Sequence, residues 1–292
     1  MTGSGPRSRL VFEARLARRA LRRLAQMARW RRRGLAGVPV LFANSFPKSG
    51  THLLTQVLQG FPRLGPAVDA GLPAVVTYNA ATGRPRPQEA ILADLERLLP
   101  GDIAYGHLHA LPPVVERLSR PETAAYFILR DPRDVVVSHV HYVTEMEPGH
   151  IHHAYYTQAL QSFDERLATS IRGLPGEEVP FPDIRARFEP FLGWLDCPAV
   201  LTLRYEDFLR EREAALGRVL DHALERGFPL AAARPAALQI LADSIDPRRS
   251  PTFRSGKAGG WKERFSAEHR RLFKQTAGDL LVRLGYEKDD QW

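Results

Sequence analysis

The segment 38–58, VPVLFANSFPKSGTHLLTQVL, restricts what this chain can fold into more than any other. Residues 38–43 form an apolar run interrupted only by Pro39, the pattern of a strand covered on both faces in a parallel sheet. Leu54, Val57 and Leu58 then recur at helical spacing. Between them, residues 44–51 make a short polar turn from the carboxyl end of a strand to the amino end of a helix. The first amides of a helix have no intrahelical partner, and its aligned dipoles place partial positive charge there. Gly50 lets a bound group approach the backbone, Ser49 and Thr51 supply hydroxyls, and Lys48 adds a full charge. The turn predicts an anion cradle; the competing reading is an ordinary turn with a solvated lysine.

The same pattern recurs along the chain. Strands are predicted over 102–106, 123–129 and 199–205, separated by helical segments over 91–99, 112–118, 132–146, 157–171 and 183–195. Further helices are predicted from 206 to about 226, over 230–244 and over 266–284. Residues 60–88, rich in Pro, Gly and Ala, read as one long irregular loop, and 147–157 as a loop rich in His and Tyr. Alternating strands and helices imply one parallel sheet flanked by helices, an α/β domain over 37–292 preceded by an extension over 1–36. Ligands of such sheets bind beyond the carboxyl ends of the strands, where Lys48, His107, Arg130 and Tyr205 fall.

Charge is distributed unevenly. The 292-residue chain carries a formal +8, yet residues 1–33 hold eleven arginines against one acid, Glu13, a net +10. The remainder has 30 basic and 32 acidic residues. The basicity is local to the tail, so no nucleic-acid partner is expected. Within it Leu10, Ala14, Ala17, Leu21, Leu24 and Ala28 fall on one helical stripe, with arginines on the other faces. Three readings stand: a helix solvated, packed on the domain or paired with another chain; a helix over 7–33 on an anionic membrane surface; or a targeting or nucleic-acid segment. The single cysteine, Cys197, excludes an internal disulfide framework and fits a reducing, cytoplasmic setting, with the inner membrane surface as the peripheral site under the second reading.

The order Pro47-Lys48-Ser49-Gly50-Thr51 differs from the triphosphatase loop, whose Lys follows its last Gly. It resembles the 5′-phosphosulfate loop of sulfotransferases that use 3′-phosphoadenosine 5′-phosphosulfate (PAPS). Residues 126–138, YFILRDPRDVVVS, resemble the 3′-phosphate motif of the same family, with Arg130 and Ser138 on the match. Residues 253–262, FRSGKAGGWK, resemble its C-terminal R-K-G-x-x-G-x-W-K segment, with Ser255 in place of the usual Lys. Residues 105–112, YGHLHALP, are similar to the K-T-H-L-P segment and place His107 on the catalytic base, with Tyr105 in place of the Lys; His109 is the weaker alternative.

The resemblance implies a P-loop-like sulfotransferase domain moving the sulfuryl group of PAPS to an acceptor hydroxyl or amine, with PAP as product and no metal. His107 would be the base and Lys48 would stabilise the leaving phosphate. Pro47, Lys48, Ser49, Gly50, Thr51, His52, Arg130, Ser138, Tyr205, Arg254, Ser255 and Gly256 would hold the nucleotide. His52 occupies the region where relatives with K-S-G-T-T-W stack a Trp on adenine, and the segment after Trp261 does not reproduce the dimer pattern of many relatives. The acceptor is expected to be a small molecule, a sugar or a lipid-linked compound. His139, His141, His150, His152 and His153 cluster in sequence without metal-ligand spacing and read as acceptor-pocket wall or loop. Glu206 and Asp207 read as helix caps. Rival functions are a nucleotide-dependent kinase on the same scaffold and a non-catalytic module acting through the arginine tail.

Overall fold

The computed structural model describes residues 6–79, 82–174, 176, 180–250 and 256–292. Its elements in order are α1 (Pro6–Arg29), β1 (Val40–Ser45), α2 (Thr51–Leu58), β2 (Val68–Asp69), β3 (Val75–Val76), α3 (Gln88–Glu96), β4 (Asp102–His107), α4 (Pro112–Ser119) and β5 (Thr123–Leu129). There follow α5 (Pro132–His141), α6 (Phe163–Arg172), α7 (Ile184–Phe188), β6 (Val200–Arg204), α8 (Asp207–Arg210), α9 (Arg212–Glu225), α10 (Arg234–Asp243), α11 (Ala267–Ala277) and α12 (Leu280–Arg283).

All six strands are parallel, in the order β2-β4-β1-β5-β6, with β3 also pairing with β4. Alternation along each central strand feeds two cores. Val40 and Phe42 of β1 and Ala125, Phe127 and Leu129 of β5 point to one face, where they meet α3 to α7 and α11. Leu41 and Ala43 with Ala124, Tyr126 and Ile128 point to the other, against α2, α9 and α10. This is why β1 and β5 read as unbroken apolar runs: both faces are covered, as in the single α/β domain the sequence predicts.

Several segments differ from the sequence reading. Residues 60–88 are not one irregular loop, because β2 and β3 add to the edge of β4; two-residue strands are too short to carry a periodic signature. The helix expected at 157 begins at Phe163, where Ser162 and Glu165 form a reciprocal capping box. The helix expected over 183–195 tightens into a 3₁₀ turn, Glu189–Trp194, at Pro190, which lacks the amide an α-helix needs. The closing helix breaks at Gly278, whose φ is 55°. Residues 142–146 and 155–159 wind as π-turns around the loop expected at 147–157.

Helix α1 lies along the β2 edge of the sheet, and it docks by its arginines. Arg19 and Arg23 bind the carboxylate of Asp102, which is fully buried. Arg22 donates to the Asp69 carbonyl (3.0 Å) and Arg15 to that of Gly71 (3.1 Å). Among the described residues no helix is long and apolar enough to cross a membrane. Cys197 is half-buried, its sulfur 3.3 Å from the Ser119 hydroxyl.

Candidate active site

The turn after β1 is built from left-handed backbone. Lys48 has φ 67° and Gly50 φ 102°, and the Ser49 amide donates to the Phe46 carbonyl (3.2 Å) to close it. A non-glycine residue in that conformation costs about 1–3 kcal/mol and persists only where its surroundings hold it. Here the conformation turns the Lys48 side chain over the ring of Tyr142, Nζ 3.8 Å from its centroid. Burial first, and the Arg130 guanidinium second, bring the Lys48 ammonium down to a pKa of about 8. Pro47 and His52 are exposed at the mouth of the turn, and Thr51 is half-buried. The Ser49 hydroxyl is buried with no hydrogen-bond partner among the described residues.

β6 supplies the floor. Tyr205 follows its last residue and packs so closely on Gly50 that a Cβ there would lie 2.7 Å from a Tyr205 ring carbon. The Tyr205 ring also carries Arg130, its guanidinium carbon 4.6 Å from the centroid. Arg130 Nη2 donates to the Lys257 carbonyl (2.8 Å) and lies 3.4 Å from an Asp134 carboxylate oxygen, while its buried Nε has no partner among the described residues. Ser138 sits two turns into α5 and is half-buried.

β4 ends at His107. Its Nδ1 lies 3.0 Å from the Ser45 carbonyl and 3.1 Å from the Ser45 hydroxyl, which in turn lies 2.7 Å from the Thr51 hydroxyl. A carbonyl only accepts, so Nδ1 carries the proton and Nε2 keeps the lone pair. Burial, followed by the charges of His52 and Lys48, lowers the His107 pKa below 6.5 against the opposing pull of the Ser45 carbonyl. The strand end is fixed by Asn44, whose side chain both donates to and accepts from the Leu108 backbone (3.0 and 2.8 Å).

The fold recurs in solved proteins. A mouse sulfotransferase complexed with PAP is similar at 20% identity and a TM-score of 0.55, over 86% of this chain and 88% of that one. A retinol dehydratase in complex with androsterone and PAP is similar at 18% identity and 0.54, over 83% of this chain and 80% of that one. A retinol dehydratase complex with retinol and PAP gives the same identity and TM-score, over 83% and 81%. The chain has the sulfotransferase fold. No family model and no curated protein matches it by sequence.

Within this sulfotransferase fold the described residues Lys48, Ser49, Gly50, Thr51, His107, Arg130 and Tyr205 are brought to one set of strand ends. Gly256, in the glycine-rich segment, is described with φ 60°, whereas Arg254 and Ser255 lie outside the described residues. His109 packs its ring against Phe191 (4.7 Å) and Tyr78 (5.4 Å), and burial lowers its pKa to about 4.

The five clustered histidines divide. His141 pairs with Glu145, and His153 bonds the Val143 carbonyl. His139 stacks on Phe181 (4.5 Å) and lies 5.9 Å from the ring of His150, which lies 5.8 Å from the ring of Tyr142. His139 and His150 both feel the Lys48 charge, His150 falling to about 4 chiefly through burial. His150 thus stands beside the Tyr142 ring that carries Lys48, and His139 is buried behind it. Among the described residues no group of three or more His, Cys, Asp or Glu is arranged to hold a metal.

Three residues make contacts that the sequence reading did not assign them. Asp134 accepts the amides of Gly259 (2.7 Å) and Trp261 (2.9 Å) and so ties the glycine-rich segment to α5 beside Arg130. Glu206 does not cap its own helix: it accepts the Asp131 amide and the Tyr286 hydroxyl, locking β6 to the start of α5. Arg133, paired with Asp131 and Glu287, also lies against two mutually perpendicular rings, Trp261 and Trp292, 3.9 and 4.6 Å from their centroids. Arg133 and Asp134 both fall inside the resembling motif, but their partners Glu287, Gly259 and Trp261 lie 125 to 154 residues away.

Proposed function

We propose that the chain transfers the sulfuryl group of PAPS to the hydroxyl or amine of a small-molecule acceptor. The observation that carries this reading is the shared geometry of base and cation. His107, with its tautomer fixed by the Ser45 carbonyl, and Lys48, in the left-handed turn before α2, sit at the ends of adjacent strands, and the Lys48 charge reaches His107. Ser49 Oγ and Arg130 Nε, buried donors without a partner among the described residues, suit a polyanionic nucleotide, since burying polar groups unpaired is otherwise unfavourable.

PAPS, when bound, supplies the sulfuryl group and a 5′-phosphate leaving group. His107 Nε2 takes the acceptor proton as the acceptor oxygen attacks sulfur in line, a contribution of typically 10²–10⁴-fold. Lys48, the Thr51 hydroxyl and the amides that open α2 meet the charge that develops on the departing phosphate oxygen. The Ser49 amide already closes the turn on Phe46, so the amides from Gly50 onward serve this role. Arg130 and Ser138 of the described chain, with Arg254, grip the 3′-phosphate, and Asp134 holds the glycine-rich segment over it.

The test is transfer from radiolabelled PAPS to a panel of alcohols, sugars and glycolipids. Labelled product from the wild type, lost in Lys48→Ala and His107→Ala, supports the reading. Full transfer by both variants overturns the role assignments.

A further inference from the structure

Helix α1 docks by the side that carries Phe12, Met27 and its inner arginines, and turns its apolar stripe outward. Four arginines turn inward onto Asp102 and the carbonyls of Asp69 and Gly71. The stripe Leu10, Ala14, Ala17, Leu21, Leu24 and Ala28 is left on the opposite side, and all six residues are exposed. Leu10 is 69% exposed, Leu21 66% and Leu24 58%. A contiguous apolar face turned to water marks a surface that meets something. It is bordered by Arg9, Arg18, Arg29, Arg31, Arg32 and Arg33, all exposed, and Glu13 is the one acid among residues 9–33.

We propose that this face binds an anionic lipid bilayer, with α1 lying in the plane of the interface. Charge decides the occupant. A second copy of the same helix would bring two sets of exposed arginines together, whereas anionic headgroups neutralise them while the leucines enter the acyl boundary. The inward arginines add a mechanical reason. They hold α1 as a formed helix before contact, so binding does not bear the cost of ordering it, which most interfacial segments bear on arrival. The inference is independent of the transfer reaction.

The full chain is mixed with vesicles of phosphatidylcholine alone and of phosphatidylcholine with phosphatidylglycerol, and bound protein is measured by flotation. Binding is expected only to the anionic vesicles and is weakened by salt. Leu10→Asp/Leu21→Asp/Leu24→Asp should abolish it, and Arg18→Gln/Arg29→Gln should weaken it on the order of tenfold or more at low salt, each arginine contributing about fivefold. Unchanged melting temperatures and circular dichroism establish that the variants fold, which solvent-facing substitutions permit. Failure to float with anionic vesicles overturns the proposal, as does flotation that survives the triple substitution. A dimer in size-exclusion chromatography that the triple variant dissolves, with no vesicle binding by the wild type, overturns it in favour of a second copy.

Discussion

Gly50 leaves no room for a methyl group. Alanine there would meet Tyr205 at 2.7 Å and adopt φ 102°, so either the turn or the β6 floor must shift. Gly50→Ala is expected to cost about 2 kcal/mol of stability and at least tenfold in PAP affinity, measured by urea unfolding and calorimetry. Under the proposed reaction, the two titrating groups of the site set a pH window. A base works only deprotonated, so activity falls as pH drops through the His107 pKa, which lies below 6.5. The Lys48 charge works only protonated, so activity falls as pH rises through about 8. A bell in kcat/KM with those limbs is expected, and Lys48→Arg should move only the alkaline limb, upward. An acid limb that survives His107→Ala would refute the assignment. Lys48, Arg130 and His107 were legible because each stands in a short local pattern. Asn44 and Glu206 were not, because their partners lie 64 and 75 residues away and a side-chain hydrogen bond leaves no periodicity.

At the scale of elements, the sheet was legible wherever a strand is buried on both faces, and illegible at β2 and β3, where two residues suffice to add to an edge. Helix starts were missed where the capping signal lay downstream of the expected start, as at Ser162. The junction of α5 with the glycine-rich segment has its own prediction. Asp134→Ala leaves the Gly259 and Trp261 amides without their acceptor and removes the carboxylate beside Arg130. A loss of about 3 kcal/mol in stability is expected, since each buried amide left unsatisfied costs about 1–3 kcal/mol. Hydrogen exchange at Gly259 and Trp261 should accelerate, and KM for PAPS should rise more than kcat falls. Unchanged exchange at both amides would show that the segment is held elsewhere.

At the scale of the molecule, amphipathic spacing located α1 but did not orient it. Periodicity shows which residues share a face, whereas the acceptors that turn the arginine face in, Asp102 and the carbonyls of Asp69 and Gly71, lie 47 to 83 residues from their partners. Arg19→Ala/Arg23→Ala strands that carboxylate without its cations and is expected to destabilise the fold by about 3–5 kcal/mol in urea; a change under about 1 kcal/mol would mean that α1 is merely laid on the surface. The docking of α1 also bears on how the protein ages in solution. The guanidinium groups of Arg15 and Arg22 occupy the Gly71 and Asp69 carbonyls, the acceptors that an incoming strand from a neighbouring molecule would need. Stripped of that guard, the open rim of the sheet becomes a template for growth of ordered aggregates. Arg15→Ala/Arg22→Ala should therefore develop thioflavin-positive fibres under conditions in which the wild type forms none.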